Sequence, residues 1–282
     1  MSIPDAPRIL IFDSGVGGLS VAACVHEAMP HVSIVYLADN AAFPYGDQPD
    51  SVVIERCCTL ISGALEQYPC DAIVIACNTA STIALPHLRD TTDVPVVGVV
   101  PALKPAAMKT LNRRIGLLAT PATVRRPYIN QLIEEFAAGC QIARVGHPGL
   151  VQWAEGLARG LAVPQAELDD AVVGLRDSAV DTVVLGCTHY PLLLDSLKAS
   201  LPQVKFWVDS GEAIARRVEF LLAQAGKPVK AREQGGEPCD SVIEVLFSGD
   251  TPEGVTAFMT GLGMQPCAIT DNWPGKPQPG KL

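Results

Sequence analysis

The stretch DAIVIACNTAS, Asp71 to Ser81, sets five consecutive apolar residues, Ala72 to Ala76, directly before a cysteine, and follows that cysteine with Asn78, Thr79, Ala80 and Ser81. An apolar run without alternation is the pattern of a strand covered on both faces, as in a parallel sheet flanked by helices. Cys77 then stands at the strand's carboxyl end. Open α/β sheets bind their ligands at that end, beside a topological switch point, so the position makes the thiol a candidate for chemistry.

The rest of the chain follows the same alternation. Strand-like runs are read at Arg8–Asp13, Ser33–Ala38, Ala72–Cys77, Val94–Val100, Arg114–Thr120, Gln141–Gly146, Thr182–Thr188, Lys205–Val208 and Glu244–Phe247. Helical patterns lie between them, among them Asp50–Tyr68, Ala122–Ala138, Pro164–Ser178 and Gly211–Ala225. Strands alternating with helices predict an α/β fold with mainly parallel sheets. Gly226–Pro238 reads as a polar linker, and the Pro- and Gly-bearing tail from Asn272 as frayed.

An internal echo bears on domain organisation. DAIVIACNTASTIALPHL and DTVVLGCTHYPLLLDSL share an aspartate, an apolar strand, a cysteine and a nearby threonine, with Cys77 and Cys187 lying 110 residues apart. RILIFDSGVGG and RRIGLLATPAT repeat more faintly at an offset of 106. Two similar offsets predict two related α/β halves, and hence a cleft with a cysteine entering from each side.

Composition excludes several classes. The chain has 282 residues, 48% of them apolar and 18% charged, enough to bury two ordinary cores. A net charge of −9 leaves no basic stripe for nucleic acid, and the pairs Arg113-Arg114, Arg125-Arg126 and Arg216-Arg217 read as solvated faces. No apolar run reaches the roughly 18 residues of a membrane span, and Met1 to Pro7 lacks a leader pattern, so a cytoplasmic protein without a membrane partner is expected. Nine cysteines without CxxC or zinc spacing favour neither disulfides nor a metal, and most read as small buried hydrophobes.

Two strand-end thiols, each trailed by hydroxyl and amide groups suited to a carboxylate, are hard to read as filler. Asp13-Ser14-Gly15-Val16-Gly17-Gly18 closes the first strand either as a tight turn or as an anion cradle of backbone N–H groups, with Asp13 placed to touch the first thiol. The third glycine of a dinucleotide fingerprint is missing, and no phosphate-binding P-loop is present. Asp209-Ser210-Gly211 reads as a helix cap, with Asp209 at the N-cap and Glu212 three residues on. His189, two residues past Cys187, is placed to raise that thiol's thiolate fraction. His147 is left undecided.

FDSGVGGLS (12–20), PYG (44–46), ACNTAS (76–81), VPVVGVVPALKPA (94–106) and GCTHYPLL (186–193) together resemble the glutamate racemases of the cofactor-independent aspartate/glutamate racemase superfamily. The resemblance covers about Arg8 to Phe220. It implies two similar doubly wound α/β domains with the active site in the cleft between them, the first spanning 1–98 plus 207–282 and the second 99–206. It places the catalytic thiols on Cys77 and Cys187, with Asp13 assisting the first and His189, with Glu155, the second. It places glutamate-binding groups on Asp13, Ser14, Tyr45, Gly46, Asn78, Thr79, Thr188 and His189. The sequence departs from the family pattern at His147, where many members carry a cysteine, and around Glu155.

The implied reaction suits two thiols. Inverting Cα requires removing a proton on one face and delivering one on the other, which two flanking acid/base groups accomplish. Hydrogen-bond donors facing the carboxylate lower the barrier, one well-placed donor being worth roughly 3–4 kcal/mol. The expectation is interconversion of L- and D-glutamate without cofactor or metal, supplying D-glutamate for bacterial peptidoglycan. An aspartate or other amino-acid racemase of the same superfamily and a non-catalytic binder of acidic amino acids are the alternatives. Assembly state is open, a homodimer included.

Overall fold

The computed structural model describes residues 6–227, 229 and 243–274. Their strands are β1 (Arg8–Asp13), β2 (Ser33–Ala38), β3 (Ala72–Ile75), β4 (Val96–Gly98), β5 (Arg114–Ala119), β6 (Gln141–Gly146), β7 (Thr182–Leu185), β8 (Phe206–Val208), β9 (Ile243–Phe247) and β10 (Ala268–Thr270). One sheet has the order β10-β9-β2-β1-β3-β4 and the other β6-β5-β7-β8. All their pairings are parallel.

The first four strands and the next four therefore repeat one order, second-first-third-fourth, as the internal echo predicts. In each sheet the chain steps from its first strand to one side and returns for its third on the other. That reversal creates a switch point beside β1 and β5, and ligands bind at the carboxyl ends there. Cys77, after β3, and Cys187, after β7, occupy equivalent places in the two α/β domains.

Alternate residues of each central strand face different cores. Ile9 and Ile11 enter one apolar cluster and Leu10 and Phe12 another, all fully buried. In the second sheet Leu118 faces one cluster while Leu117 and Ala119 face the opposite one. Each such leucine, isoleucine or phenylalanine contributes about 1.5–3 kcal/mol by leaving water. The loops at the strand ends are thus mounted on rigid supports.

Several details differ from expectation. Both cysteine-bearing strands end two or more residues early, at Ile75 and Leu185. Cys77 is instead the extended residue that caps the helix Asn78–Ile83. The helix read over 122–138 is two, Pro121–Arg125 and Pro127–Phe136, because Arg126 takes an extended conformation before Pro127. The helix read over 164–178 breaks at Val172 into Gln165–Ala171 and Val173–Asp177. β8 pairs with β7, so the expected domain boundary between 206 and 207 runs through a strand of the second sheet. Asp209 accepts from the Gly211 N–H at 2.7 Å, but Ser210 is the capping residue and Glu212 pairs with Arg216, so no reciprocal capping box forms.

The tail expected to fray from Asn272 begins docked. Trp273 is buried, its indole N–H donating to Gln67 Oε1 at 3.0 Å and its backbone N–H to the Phe247 carbonyl at 2.8 Å. Most of the expected linker, Cys239 and residues 275–282 lie outside the described residues. Among the described residues no helix is long and apolar enough to cross a membrane.

Candidate active site

The turn after β1 sits at the cleft. Asp13 is fully buried, its Oδ1 accepting the Ser14 N–H at 2.7 Å and its Oδ2 accepting the Gly18 N–H. The Val16 N–H donates to Glu155 Oε1 at 2.8 Å, reaching a helix of the second domain, Gly149–Ala158. A Cβ at Gly15 would collide with the Glu155 carboxylate, and one at Gly17 with the His189 ring. The glycine-rich turn is therefore an anion cradle whose anions are the protein's own carboxylates. Burial raises the Asp13 carboxyl above the usual range, opposed by His189 and by the Ser14 and Gly18 amides.

Cys77 is buried, with Ser14 Oγ 3.7 Å from its sulfur. Burial pushes this thiol well up, and the nearby charges of Asp13 and Cys187 add to the rise against the Ala80 N–H and Ser14 hydroxyl. The following helix is fixed by Ser81, whose hydroxyl donates to the Ile75 carbonyl and accepts from the Val99 N–H, both at 2.9 Å. Asn78, also buried, has a side-chain oxygen without a partner among the described residues.

On the second side, Cys187 Sγ lies 3.7 Å from His189 Nδ1, and His189 Nε2 lies 2.7 Å from Glu155 Oε1. Burial alone would lower the imidazole's pKa. Hydrogen bonds to Cys187 and Glu155 outweigh it and hold His189 well above its ordinary value. The imidazole therefore bridges the Cys187 sulfur and the Glu155 carboxylate, one ring nitrogen on each. The Thr188 hydroxyl donates to Asp13 Oδ2 at 3.3 Å, joining the two sides.

These groups enclose a cleft whose empty volume, open mouth included, is about 790 Å³. Asp13, Ser14, Tyr45, Gly46, Cys77, Asn78, Thr79, Cys187, Thr188 and His189 all line it. Glu155 stands behind His189. Tyr45 lines the wall, but its hydroxyl turns away to Asp39 Oδ2 at 2.5 Å. Asp39 also accepts from Arg56 and from Ser248 Oγ, which ties the 43–47 loop to the segment after β9.

The lining residues that the sequence does not single out for the site include Thr120, Gln152 and Arg125. Thr120 could have been found from the fainter echo, since it follows β5 as Ser14 follows β1. Arg125 was assigned to a solvated face. It is exposed, yet among the described residues it is the one Lys or Arg on the cleft wall, while the neighbouring Arg126 pairs with Asp50 at 3.1 Å. His147 stacks on Trp153 with ring centroids 5.4 Å apart and accepts the Gly149 N–H, a structural use. Among the described residues, no cluster of three or more His, Cys, Asp or Glu side chains could hold a metal.

Residues 19–218 match the family model described as Asp/Glu/Hydantoin racemase, well over half of the chain. The chain belongs to the Asp/Glu/hydantoin racemase family. Within this racemase family, it is 47% identical over 265 residues to the glutamate racemase of Vibrio campbellii, covering 93% of this chain and 95% of that one. The structure is similar to Escherichia coli glutamate racemase in complex with L-glutamate and the activator UDP-MurNAc-Ala, with TM-score 0.85 and 40% identity over 95% of this chain and 98% of that one. It is also similar to the Bacillus anthracis glutamate racemase isoform RacE1, with TM-score 0.79 and 27% identity, covering 96% of this chain and 99% of that one.

Proposed function

We propose that the protein is a glutamate racemase that interconverts L- and D-glutamate by two-base proton transfer at Cα. The observation that carries this reading is the pair of buried thiols, one from each domain, on the wall of one cleft. Asn78, Thr79 and Thr188 offer hydrogen-bond donors for a carboxylate, and Asp13 with Ser14 faces an ammonium group. Each thiol has its own assisting group, Asp13 beside Cys77 and the His189–Glu155 pair beside Cys187.

The environments of the two sulfurs divide the roles. Burial and the Asp13 charge favour the protonated thiol at Cys77. Cys187 instead has an imidazole beside it, His189 Nδ1 lying 3.7 Å from its sulfur. With Cys77 as the acid, Cys187 takes the Cα proton from L-glutamate while Cys77 delivers one to the opposite face. The product complex has the two protonation states exchanged and runs the reverse reaction from D-glutamate. Thiols serve as both base and acid, so the scheme assigns no step to a cofactor. Provision of D-glutamate for cell-wall peptidoglycan, in the cytoplasm, belongs to the same proposal.

Circular dichroism of L-glutamate with added protein tests it. Decay of the signal to zero, with deuterium from D2O incorporated at Cα, is the expected result. Binding without exchange would leave an acidic amino-acid binder, and exchange of aspartate in preference to glutamate would reassign the substrate.

A further inference from the structure

Ser20 lies in the first turn of the helix Leu19–Ala28, in the first domain. Its hydroxyl is 2.7 Å from the Thr188 carbonyl, which belongs to the second domain and lies between Cys187 and His189. The same oxygen is 2.9 Å from the Gly17 carbonyl of its own helix turn. A serine hydroxyl carries one proton, so it serves these two acceptors in alternation. The Gly17 carbonyl already accepts the Ser20 N–H at 3.1 Å. Thr188 is therefore the acceptor that benefits from the hydroxyl, and Gly17 is a fallback. Ser20 also borders a small second cavity that reaches Asn78, Cys187 and Thr188 from behind the main cleft.

We propose that Ser20 is a positioning residue for the Cys187 side, holding the Thr188 carbonyl, and with it the turn between Cys187 and His189, against the first domain. That contact bears on where the Cys187 sulfur stands relative to a substrate held on the Cys77 side. Displacement of a reacting group by about 1 Å can cost up to about 100-fold in rate.

The kinetic arm rests on the glutamate racemase reading. A second arm, independent of substrate, is the alkylation rate of each cysteine by iodoacetamide, followed peptide by peptide with mass spectrometry. In full-length Ser20→Ala, kcat is expected to fall about tenfold with KM changed less than about twofold. Cys187 alkylation should rise several-fold while that of Cys77 stays constant. Ser20→Thr, which keeps the hydroxyl, should recover both properties to within about threefold. Wild-type protein without racemase activity would overturn the functional reading, leaving the alkylation arm to judge the Ser20 contact. Unchanged Cys187 alkylation and kcat in folded Ser20→Ala, or Ser20→Thr as impaired as Ser20→Ala, would overturn the inference alone.

Discussion

Replacing Glu155 with glutamine removes one negative charge and leaves the geometry available. The Val16 N–H and His189 Nε2 converge on the same atom, Oε1, at 2.8 and 2.7 Å. An amide oxygen in that place can accept both, so the variant isolates charge from shape. A hydrogen bond to a charged group is worth roughly 1.5–3 kcal/mol against about 0.5–1.5 for a neutral one, so the His189 cation loses about 1–1.5 kcal/mol of stabilisation. One pKa unit corresponds to about 1.4 kcal/mol, which predicts a fall of about one unit in the His189 pKa. His189 is raised in the wild type, so activity that needs its cation is present below that pKa and disappears as pH rises through it. In Glu155→Gln the alkaline limb of kcat/KM should move about one unit toward lower pH, with a drop that is about threefold midway between the two limbs and approaches about tenfold above both. The enantiomers have equal free energy, so kcat/KM must fall equally in both directions. Progress curves by circular dichroism from pH 6 to 10 provide the measurement. An alkaline limb that stays in place, with kcat/KM within twofold of wild type, would refute the His189–Glu155 relay.

Further outcomes test other parts of the site. Gly17→Ala drives a methyl group into the His189 ring and should destabilise by about 1–3 kcal/mol with loss of racemisation, checked by denaturant unfolding and activity. The raised pKa of His189 gives stability that is complete below its unfolded value of about 6.5 and is lost as pH rises through the folded one; the melting-temperature advantage of wild type over His189→Asn should therefore shrink from pH 6 to pH 9.5. Arg125 is exposed on the cleft wall of an acidic chain, so Arg125→Gln should raise KM for glutamate a few-fold at low salt, an effect that vanishes near 0.5 M salt.

Legibility followed burial and chain separation. β1, β3, β5 and β7 stand out in the sequence because strands buried on both faces are continuously apolar, and the repeated cysteine after β3 and β7 carried the two-domain reading. β10 escaped notice: it is three residues long at a sheet edge, with Ala268 and Thr270 exposed, so it has no apolar run. Pro127 was the visible mark of the helix break at Arg126 and was overridden by an apolar pattern that continues beyond it. At the site, residues that carry chemistry at strand ends were legible, whereas partnerships were not. Val16 and Glu155 are 139 residues apart, and neither the turn nor the helix signals the other. The Tyr45 hydroxyl is committed to Asp39, a contact that depends on how the 43–47 loop folds back on its own domain. Arg125 resembles any solvated arginine until α/β packing brings its helix opposite the Tyr45–Asp47 turn.

The central claim is that both sulfurs act in each direction, one as base and the other as acid. The most direct test is racemisation of L- and D-glutamate by folded Cys77→Ala and Cys187→Ala, with substrate binding followed by calorimetry. The account predicts that each variant binds glutamate and that neither racemises it from either enantiomer. Cys→Ser should behave similarly, because an alcohol supplies almost no anionic base near neutral pH. A folded Cys→Ala variant that racemises glutamate at a rate near wild type would contradict the two-thiol mechanism.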